Sequence, residues 1–302
     1  MTSGPRRILV TGARGFLGRA LVGRLLERYP AATIVAISRR PPDPGDHPGP
    51  SLDLSLSQAW ADIEGPFDWV FHLAARIPSR KGDVADGGIF DDNVSPCLRL
   101  LEGCRRWQSS RLIHTSSISV YPMGAAKTLC EDLVPRPDTL YGAAKLAGEH
   151  ILSLASSTGT AVVSLRLSSL YGPGQHGGTV LPTFIDNARH GRPIRVVAGG
   201  CRTQDFLHVA DAACGLIDVA TSTAAGIYNL GSGTATPMID LAHAVTALPG
   251  WNVDVIDSGG VETAPSVAVD IRKAQRDWGF MPQVTIGNGL KGYHDALLEG
   301  RS

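Results

Sequence analysis

Ile8-Leu9-Val10-Thr11-Gly12-Ala13-Arg14-Gly15-Phe16-Leu17-Gly18 is the stretch that decides the fold. Ile8 to Val10 reads as a short buried strand. Gly12, Gly15 and Gly18 follow it in a GxxGxxG spacing. A helix begins inside that spacing, because Leu17, Leu21 and Leu25 recur on one face of Phe16 to Arg28. With 35 glycines in 302 residues, such a spacing arises by accident about 0.5 times per chain, so the glycines alone are weak evidence. The strand before them and the helix within them make the pattern specific. Glycine lets the backbone approach a pyrophosphate closely, and the helix N-terminus offers free N–H groups and a positive dipole end. Arg14, Phe16 and Leu17 complete the expected cofactor loop. The competing reading is a tight strand-to-helix turn with no ligand.

The same alternation continues outward from this loop. Ile34–Ile37, Trp69–Leu73, Leu112–Thr115 and Ala161–Leu167 are apolar strand segments, and Asn93–Trp107 and Tyr141–Ala155 read as helices. Strands this apolar, separated by helices, predict an α/β fold: a Rossmann-type doubly wound parallel sheet covered on both faces. From about Tyr171 the rhythm changes. Gly and Pro become frequent, and short strands at Ile194–Val197, Phe206–Val209, Ile227–Leu230 and Val253–Ile256 alternate with short helices. The expected division is a dinucleotide-binding domain over 1–168, with part of 205–232 returning to it, and a smaller C-terminal substrate-binding lobe over 169–302. Pro41 to Pro50 reads as a stiff surface loop.

Composition narrows the function classes. Hydrophobic residues make up 43%, charged residues 19% and the net charge is zero, which argues against a polyanion partner such as nucleic acid. No apolar run approaches the ~20 residues of a membrane span, and the N-terminus has no signal-peptide core. Five scattered cysteines, Cys97, Cys104, Cys130, Cys201 and Cys214, read as reduced thiols in a cytoplasmic protein. No His/Asp/Glu cluster has ligand spacing, so no metal is expected.

Thr115-Ser116-Ser117 and Tyr141-Gly142-Ala143-Ala144-Lys145 carry the chemistry. Tyr141 and Lys145 are four residues apart and share a helix face. With six tyrosines and five lysines, that spacing arises by chance about 0.1 times. A free tyrosine has a pKa near ~10. A nearby ammonium and a positive nicotinamide ring are expected to lower it, making Tyr141 the proton-transfer group. Ser117, at a strand end, would hold the substrate oxygen against the phenol. Where an NAD-binding strand ends in an acidic residue, this chain has Ser38-Arg39-Arg40. Serine and arginine can donate to a 2′-phosphate, so NADP(H) is favoured and NAD(H) is the alternative.

On these residues the chain resembles the extended short-chain dehydrogenases/reductases, the NAD-dependent epimerase/dehydratase family, over nearly its whole length. The resemblance implies that Asp53 and Leu54 contact the adenine. It places Leu73, Ala74 and Ala75, after His72, under the cofactor, with Asn93 at the following helix. Lys145 would also bind the nicotinamide ribose. Arg166, Tyr171–Gly174, Asp205–Asp211, Asn229–Gly233 and Trp278–Phe280 with Pro282 match later landmarks of the family. Arg76, Ser119, Ser169, His176, Thr179, Arg202 and Gln204 fall at substrate-facing positions. A nucleotide-linked sugar and a homodimer built on Asn93–Trp107 and Tyr141–Ala155 are the implied partners.

The departures from the family matter equally. Dehydratases carry an Asp-Glu pair just after the catalytic serine or threonine; here Ile118-Ser119 follows Ser117. The Cys/His pair of 3,5-epimerising members is replaced by Ser119 and Thr179, whose hydroxyls do not titrate near neutrality. Gln204 stands where sugar-nucleotide epimerases place an arginine on the diphosphate, with Arg202 two residues earlier, and Ser169 replaces an asparagine. His114 and His208 read as core or edge histidines, while His176 reads equally as a substrate contact or a solvated loop residue. The expectation is an NADP(H)-dependent reductase of a keto-sugar nucleotide, a 4-keto-6-deoxyhexose. The alternatives are an NAD-dependent 4-epimerase, a reductase of a non-sugar ketone, and a redox-sensing binding module.

Overall fold

The computed structural model describes residues 4–48, 60–78, 87–124, 128–175 and 178–300. Asp53, Leu54 and His176 lie outside the described residues. The chain begins with β1 (Arg7–Thr11), α1 (Phe16–Arg28), β2 (Thr33–Ile37), β3 (Trp69–His72), α2 (Gly87–Trp107), β4 (Arg111–Ser117), α3 (Leu140–Ser153) and β5 (Ala161–Leu167). It continues with β6 (Ser169–Tyr171), α4 (Val180–Arg189), β7 (Ile194–Val196), β8 (Thr203–His208), α5 (Val209–Thr221) and β9 (Gly226–Leu230). It ends with β10 (Ala235–Pro237), α6 (Met238–Thr246), β11 (Val255–Asp257), α7 (Arg272–Trp278) and α8 (Ile286–Leu298).

The large sheet runs β2-β1-β3-β4-β5-β9 among the described residues, and every pairing in it is parallel. This is the doubly wound α/β arrangement expected from the apolar strands. The chain steps from β1 outward to β2, then back across to β3. The strand ends beside that reversal are where such sheets bind ligands.

Alternation along each strand feeds two cores. Ile8, Val10, Phe71, Ile113 and Val163 face α1 and α5, and they pack with Leu17, Leu21 and Leu25. Leu9, Val70, Leu112 and Val162 face α2 and α3, with Leu100 and Trp107. Helix α2 starts at Gly87, six residues before the expected Asn93. Ile89, fully buried, anchors this added turn, so packing overrides the turn-like Gly87-Gly88 pair.

The smaller part has its own core around Tyr171, Phe184, Phe206, Leu241 and Leu290. Its sheets are β10-β8-β6 and β11-β7. Strand β9 instead pairs with β5 in the large sheet, and α5 packs on α1. No helix among the described residues is long and apolar enough to cross a membrane.

Candidate active site

The glycine loop is built around contacts that only glycine permits. Gly12 has φ +72°, and a Cβ there would stand 2.6 Å from Ala74 N and 2.8 Å from Leu73 C. A Cβ at Gly18 would stand 2.1 Å from Gly12 O. Gly15 N donates to Gly12 O at 2.9 Å, and Ala13 N donates to Ile37 O at 3.1 Å, tying the loop to the end of β2. Gly15 is the N-cap of α1 and brings no capping side chain. The first-turn N–H groups therefore have no side-chain acceptor and suit an anion. These features fit a dinucleotide pyrophosphate.

The flanking cofactor candidates sit around this loop. Arg14 is buried; its Nη1 donates to Arg40 O at 2.5 Å, and Arg40 Nη2 donates to Arg14 O at 2.7 Å. Ser38 is buried at the end of β2. Arg39 pairs with Asp92 at 3.3 Å and Arg40 with Asp43 at 3.5 Å. Leu73 and Ala75 line the cavity, while Ala74 packs beside Gly12. Asn93 works within the fold: its Nδ2 donates to Arg76 O at 3.0 Å and to Ile89 O at 2.6 Å, pinning the segment after β3 to α2.

A cavity of about 560 Å³ opens beside the loop. Gly12, Gly15, Phe16, Leu17 and Gly18 form one wall. Ser117 lines it from the end of β4, Tyr141 and Lys145 from α3, and Ser169, Thr179 and Gln204 from the smaller part. Lys145 Nζ donates to Thr115 O at 2.8 Å and lies 5.8 Å from the Tyr141 ring centroid. Tyr141 and Ser117 line the same stretch of the cavity, and Ser117 acts on the phenol. Thr139 caps α3 by accepting from Gly142 N at 3.0 Å, which fixes the turn carrying Tyr141. The expected lowering of Tyr141 is not produced by the protein's own groups. Burial dominates and pushes the phenol up to about 12, with Ser117 opposing. Burial likewise brings Lys145 down to about 8.

The remaining candidates form short chains. Ser119 N and Ser119 Oγ both meet Ser117 Oγ at 3.1 Å. Gln204 Nε2 donates to Ser169 Oγ, and Arg202 Nη1 donates to Gln204 Oε1 at 2.9 Å. Arg202 is also held by Glu262 at 3.5 Å. Arg76 pairs with Asp92 at 3.6 Å and is not among the cavity-lining residues. His208 caps α5, its Nδ1 accepting from Ala210 N at 3.3 Å.

Two buried groupings escaped the sequence reading. The first is His72, Cys97 and His114, whose ligand-type atoms lie within 4.8 Å of one another. His72 Nδ1 bonds with Thr11 Oγ1 at 2.7 Å, and His114 Nδ1 with Ser164 Oγ at 3.3 Å. Burial, with the Lys145 charge beside them, brings His72 down to about 3 and His114 well below its usual range, while burial pushes Cys97 up to about 12. A neutral thiol beside an ammonium is a poor cation site. The second grouping is Ser116, Glu149 and Arg166. The available signal was Glu149 at i+4 from Lys145, a carboxylate on the face that carries the tyrosine and lysine.

The profile of the NAD dependent epimerase/dehydratase family matches residues 8–231. The dTDP-glucose 4,6-dehydratase of Neisseria meningitidis serogroup B is 27% identical, over 95% of this chain and 91% of that one. The UDP-glucose 4-epimerase of Corynebacterium glutamicum is 26% identical over 92% of each. The solved structure of MoeE5 in complex with UDP-glucuronic acid and NAD superposes with a TM-score of 0.85 at 30% identity, covering 97% of this chain and 99% of that one. With the glycine loop, the parallel sheet and the Ser117/Tyr141/Lys145 cluster in place, this chain belongs to the NAD dependent epimerase/dehydratase family, enzymes of the extended short-chain dehydrogenase/reductase type.

Proposed function

We propose that this enzyme moves a hydride at one carbinol carbon of a nucleotide-linked sugar, without dehydration, and that the reaction is a 4-epimerisation. The carrying observation is the placement of Ser117, Tyr141 and Lys145 together at the cavity wall beside the glycine loop, with Ile118-Ser119 after Ser117 in place of an acidic pair. Ser117 holds the sugar oxygen. Tyr141 takes the hydroxyl proton in one direction and returns it to the oxygen in the other. Lys145, fixed by Thr115 O, holds positive charge beside the phenol and binds the ribose hydroxyls. A bound nicotinamide dinucleotide supplies the hydride acceptor and donor. Without a titrating acid at position 118 or 119, elimination has no proton donor at the neighbouring carbon. The names of the relatives and their nucleotide-sugar ligands support the substrate class.

The engaged arginines favour NAD over NADP. Arg39 and Arg40 already face Asp92 and Asp43. Such exposed pairs are worth about 0–1 kcal/mol, so they reduce the pull on a 2′-phosphate without abolishing it. Ser38 in place of an acidic residue keeps a second reading in play: NADPH-linked reduction of a 4-keto-6-deoxyhexose nucleotide. In either case the enzyme works as a homodimer through α2 and α3, where Phe90 and Leu98 on α2 and Leu154 just after α3 are exposed.

The test is to incubate the purified enzyme with UDP-glucose and follow the sugar by NMR, beside a second reaction of a dTDP-4-keto-6-deoxy sugar with NADPH. Galactose formation without net nicotinamide change supports epimerisation. Stoichiometric NADPH loss only in the second reaction establishes the reductase. No reaction in either rejects both.

A further inference from the structure

We infer that the buried Glu149–Arg166 ion pair, together with Ser116, positions the proton-transfer group by fixing the α3 face that bears Tyr141 and Lys145 against the strand end that bears Ser117. This rests on the catalytic role proposed above for those three residues. The parts come from three elements: Ser116 from β4, Glu149 from α3 and Arg166 from β5. Arg166 lies directly opposite Ser116 in the β4–β5 register. Its Nε donates to Glu149 Oε1 at 2.9 Å and its Nη2 to Oε2 at 2.7 Å. Ser116 Oγ donates to Oε1 at 2.5 Å. The guanidinium sits 4.7 Å from the Tyr121 ring centroid, and the Tyr121 hydroxyl donates to Asn229 Oδ1 at 2.7 Å. Only 1% of the arginine side chain and 2% of the glutamate side chain are exposed.

Its place beside the chemistry distinguishes this pair from an ordinary core contact. Three successive β4 residues stand beside the same α3 face. Thr115 O accepts from Lys145, Ser116 Oγ donates to Glu149, and Ser117 lines the cavity with Tyr141. Residues 141, 145 and 149 are spaced at successive helical turns. Ser116 lies between Thr115 and Ser117 on β4, and Glu149 lies one turn beyond Lys145 on α3, so their contact fixes the distance and rotation of this helix face against the strand end. A displacement of ~1 Å at a reacting group costs about 10²-fold in rate. A buried ion pair gives little net stability, because desolvation offsets the attraction, so its geometry is the contribution that distinguishes it from apolar packing.

The carboxylate also acts on Lys145 through space. The titratable groups facing that ammonium are Tyr141 and Glu149 on α3, Cys97 on α2, His72 on β3 and His114 on β4. Burial keeps the histidines and the thiol uncharged at neutral pH. Cys97 and then Glu149 oppose the downward effect of burial on Lys145, and with the thiol held neutral by burial Glu149 is the charged one of the two. Its removal should let Lys145 lose its proton at lower pH, and the alkaline limb of kcat should move down.

The experiment compares Glu149→Gln, the double variant Glu149→Leu/Arg166→Met, Ser116→Ala and Tyr141→Phe with the wild-type enzyme. Thermal melting, NAD binding, and kcat and KM from about pH 6 to 10 are measured for each. In Glu149→Gln, kcat falls about 10- to 100-fold, KM and NAD affinity stay within about threefold, and the alkaline limb moves down. The double variant regains wild-type melting but neither kcat nor the limb. If kcat and the limb return with stability in the double variant, the pair is structural and the inference is overturned. An unchanged kcat and pH profile in Glu149→Gln overturns it as well. Should Glu149→Gln fail to fold, Ser116→Ala carries the test, with a kcat loss of about fivefold or more at constant KM expected and an unchanged kcat contrary. Tyr141→Phe separates the two ideas. Retained turnover there refutes the catalytic reading beneath the inference, whereas an inactive Tyr141→Phe beside a fully active Glu149→Gln refutes positioning alone.

Discussion

Gly18→Ala and Gly23→Ala make the same change on α1 and should move the protein in opposite directions. An alanine Cβ at position 18 would stand 2.1 Å from Gly12 O and 2.7 Å from Ala13 C, where ordinary contact begins at 3.4 Å. Both neighbours are backbone, so neither can swing aside, and the helix must back away from the loop. Overpacking of this kind costs about 1–3 kcal/mol. The gain from alanine in a helix is about 1 kcal/mol at most, so the clash wins. At Gly23 the added Cβ meets nothing within 4 Å, and only the gain remains. An unfolding entropy of ~2.1 cal/mol/K per residue, taken over 302 residues, gives about 0.6 kcal/mol per degree. Gly23→Ala should therefore melt about 1–2 °C higher than the wild type and Gly18→Ala up to about 3 °C lower. Calorimetric titration with NAD supplies the second reading. Backing α1 away from Gly12 moves its first-turn N–H groups off the anion position and should weaken binding about tenfold or more, with Gly23→Ala unaffected. A Gly18→Ala protein that melts at or above the wild type and binds NAD equally well would refute the claim that close loop–helix contact makes the cradle.

Three further outcomes follow from the same geometry. Tyr141→Phe should lose about 10²- to 10⁴-fold in turnover with NAD affinity nearly unchanged; a variant keeping a tenth of its rate would remove Tyr141 from proton transfer. His72 is held at about 3 against its ordinary 6.5, so the unfolded chain takes up the proton first. The stability this gives is complete above pH 6.5, falls by about 2 kcal/mol at pH 5, and is lost as pH drops toward 3. Denaturant midpoints at neutral pH and near pH 5 should show a flatter dependence in His72→Gln, and equal dependence in both proteins would count against this. In α8, Gly289→Ala would set a Cβ 2.3 Å from Tyr171 Oη and 2.7 Å from its ring, which is 1% exposed. Destabilisation of about 1–3 kcal/mol is expected by thermal melting, and an unchanged melt would mean that α8 can shift off the ring.

What was legible in the sequence had a local cause. The strand β5 was readable over its full length, Ala161–Leu167, because an apolar run between helices has no other stable place in an α/β fold. Tyr141 and Lys145 were readable because four residues is a helical distance. What escaped depended on register. Ser116 meets Glu149 and Arg166 only because β4 and β5 align Ser116 with Arg166, and no local pattern sets that alignment. The same holds for His72 and His114, which are register partners in β3 and β4 and stack with ring centroids 5.6 Å apart. The sequence comparison with the family marked Gln204 as a lost arginine. Its place in a chain from Ser169 to Arg202 required the fold.

These buried polar residues share one face of the sheet, and that placement bears on how the site is activated. On the α2/α3 side, the first halves of the strands are apolar: Leu9, Val70, Leu112 and Val162. Their far ends carry His72, His114, Ser116, Ser164 and Arg166 instead, all buried. The switch occurs beneath Lys145, so the ammonium stands over neutral histidines, a neutral thiol and the one paired carboxylate. In that setting burial takes Tyr141 up to about 12 and Lys145 down to about 8, both away from the phenolate–ammonium pair that proton abstraction needs at neutral pH. A phenol at about 12 is ionised in about one molecule in 10⁵ at pH 7. Positive charge arriving with an oxidised nicotinamide ring would lower it. Under the proposed function, proton transfer by Tyr141 would then depend on an oxidised cofactor bound beside it. A pH titration of Tyr141 absorbance should therefore move down on adding NAD, and more than on adding NADH. Equal movement with both would mean that the cofactor's charge is not what prepares the base.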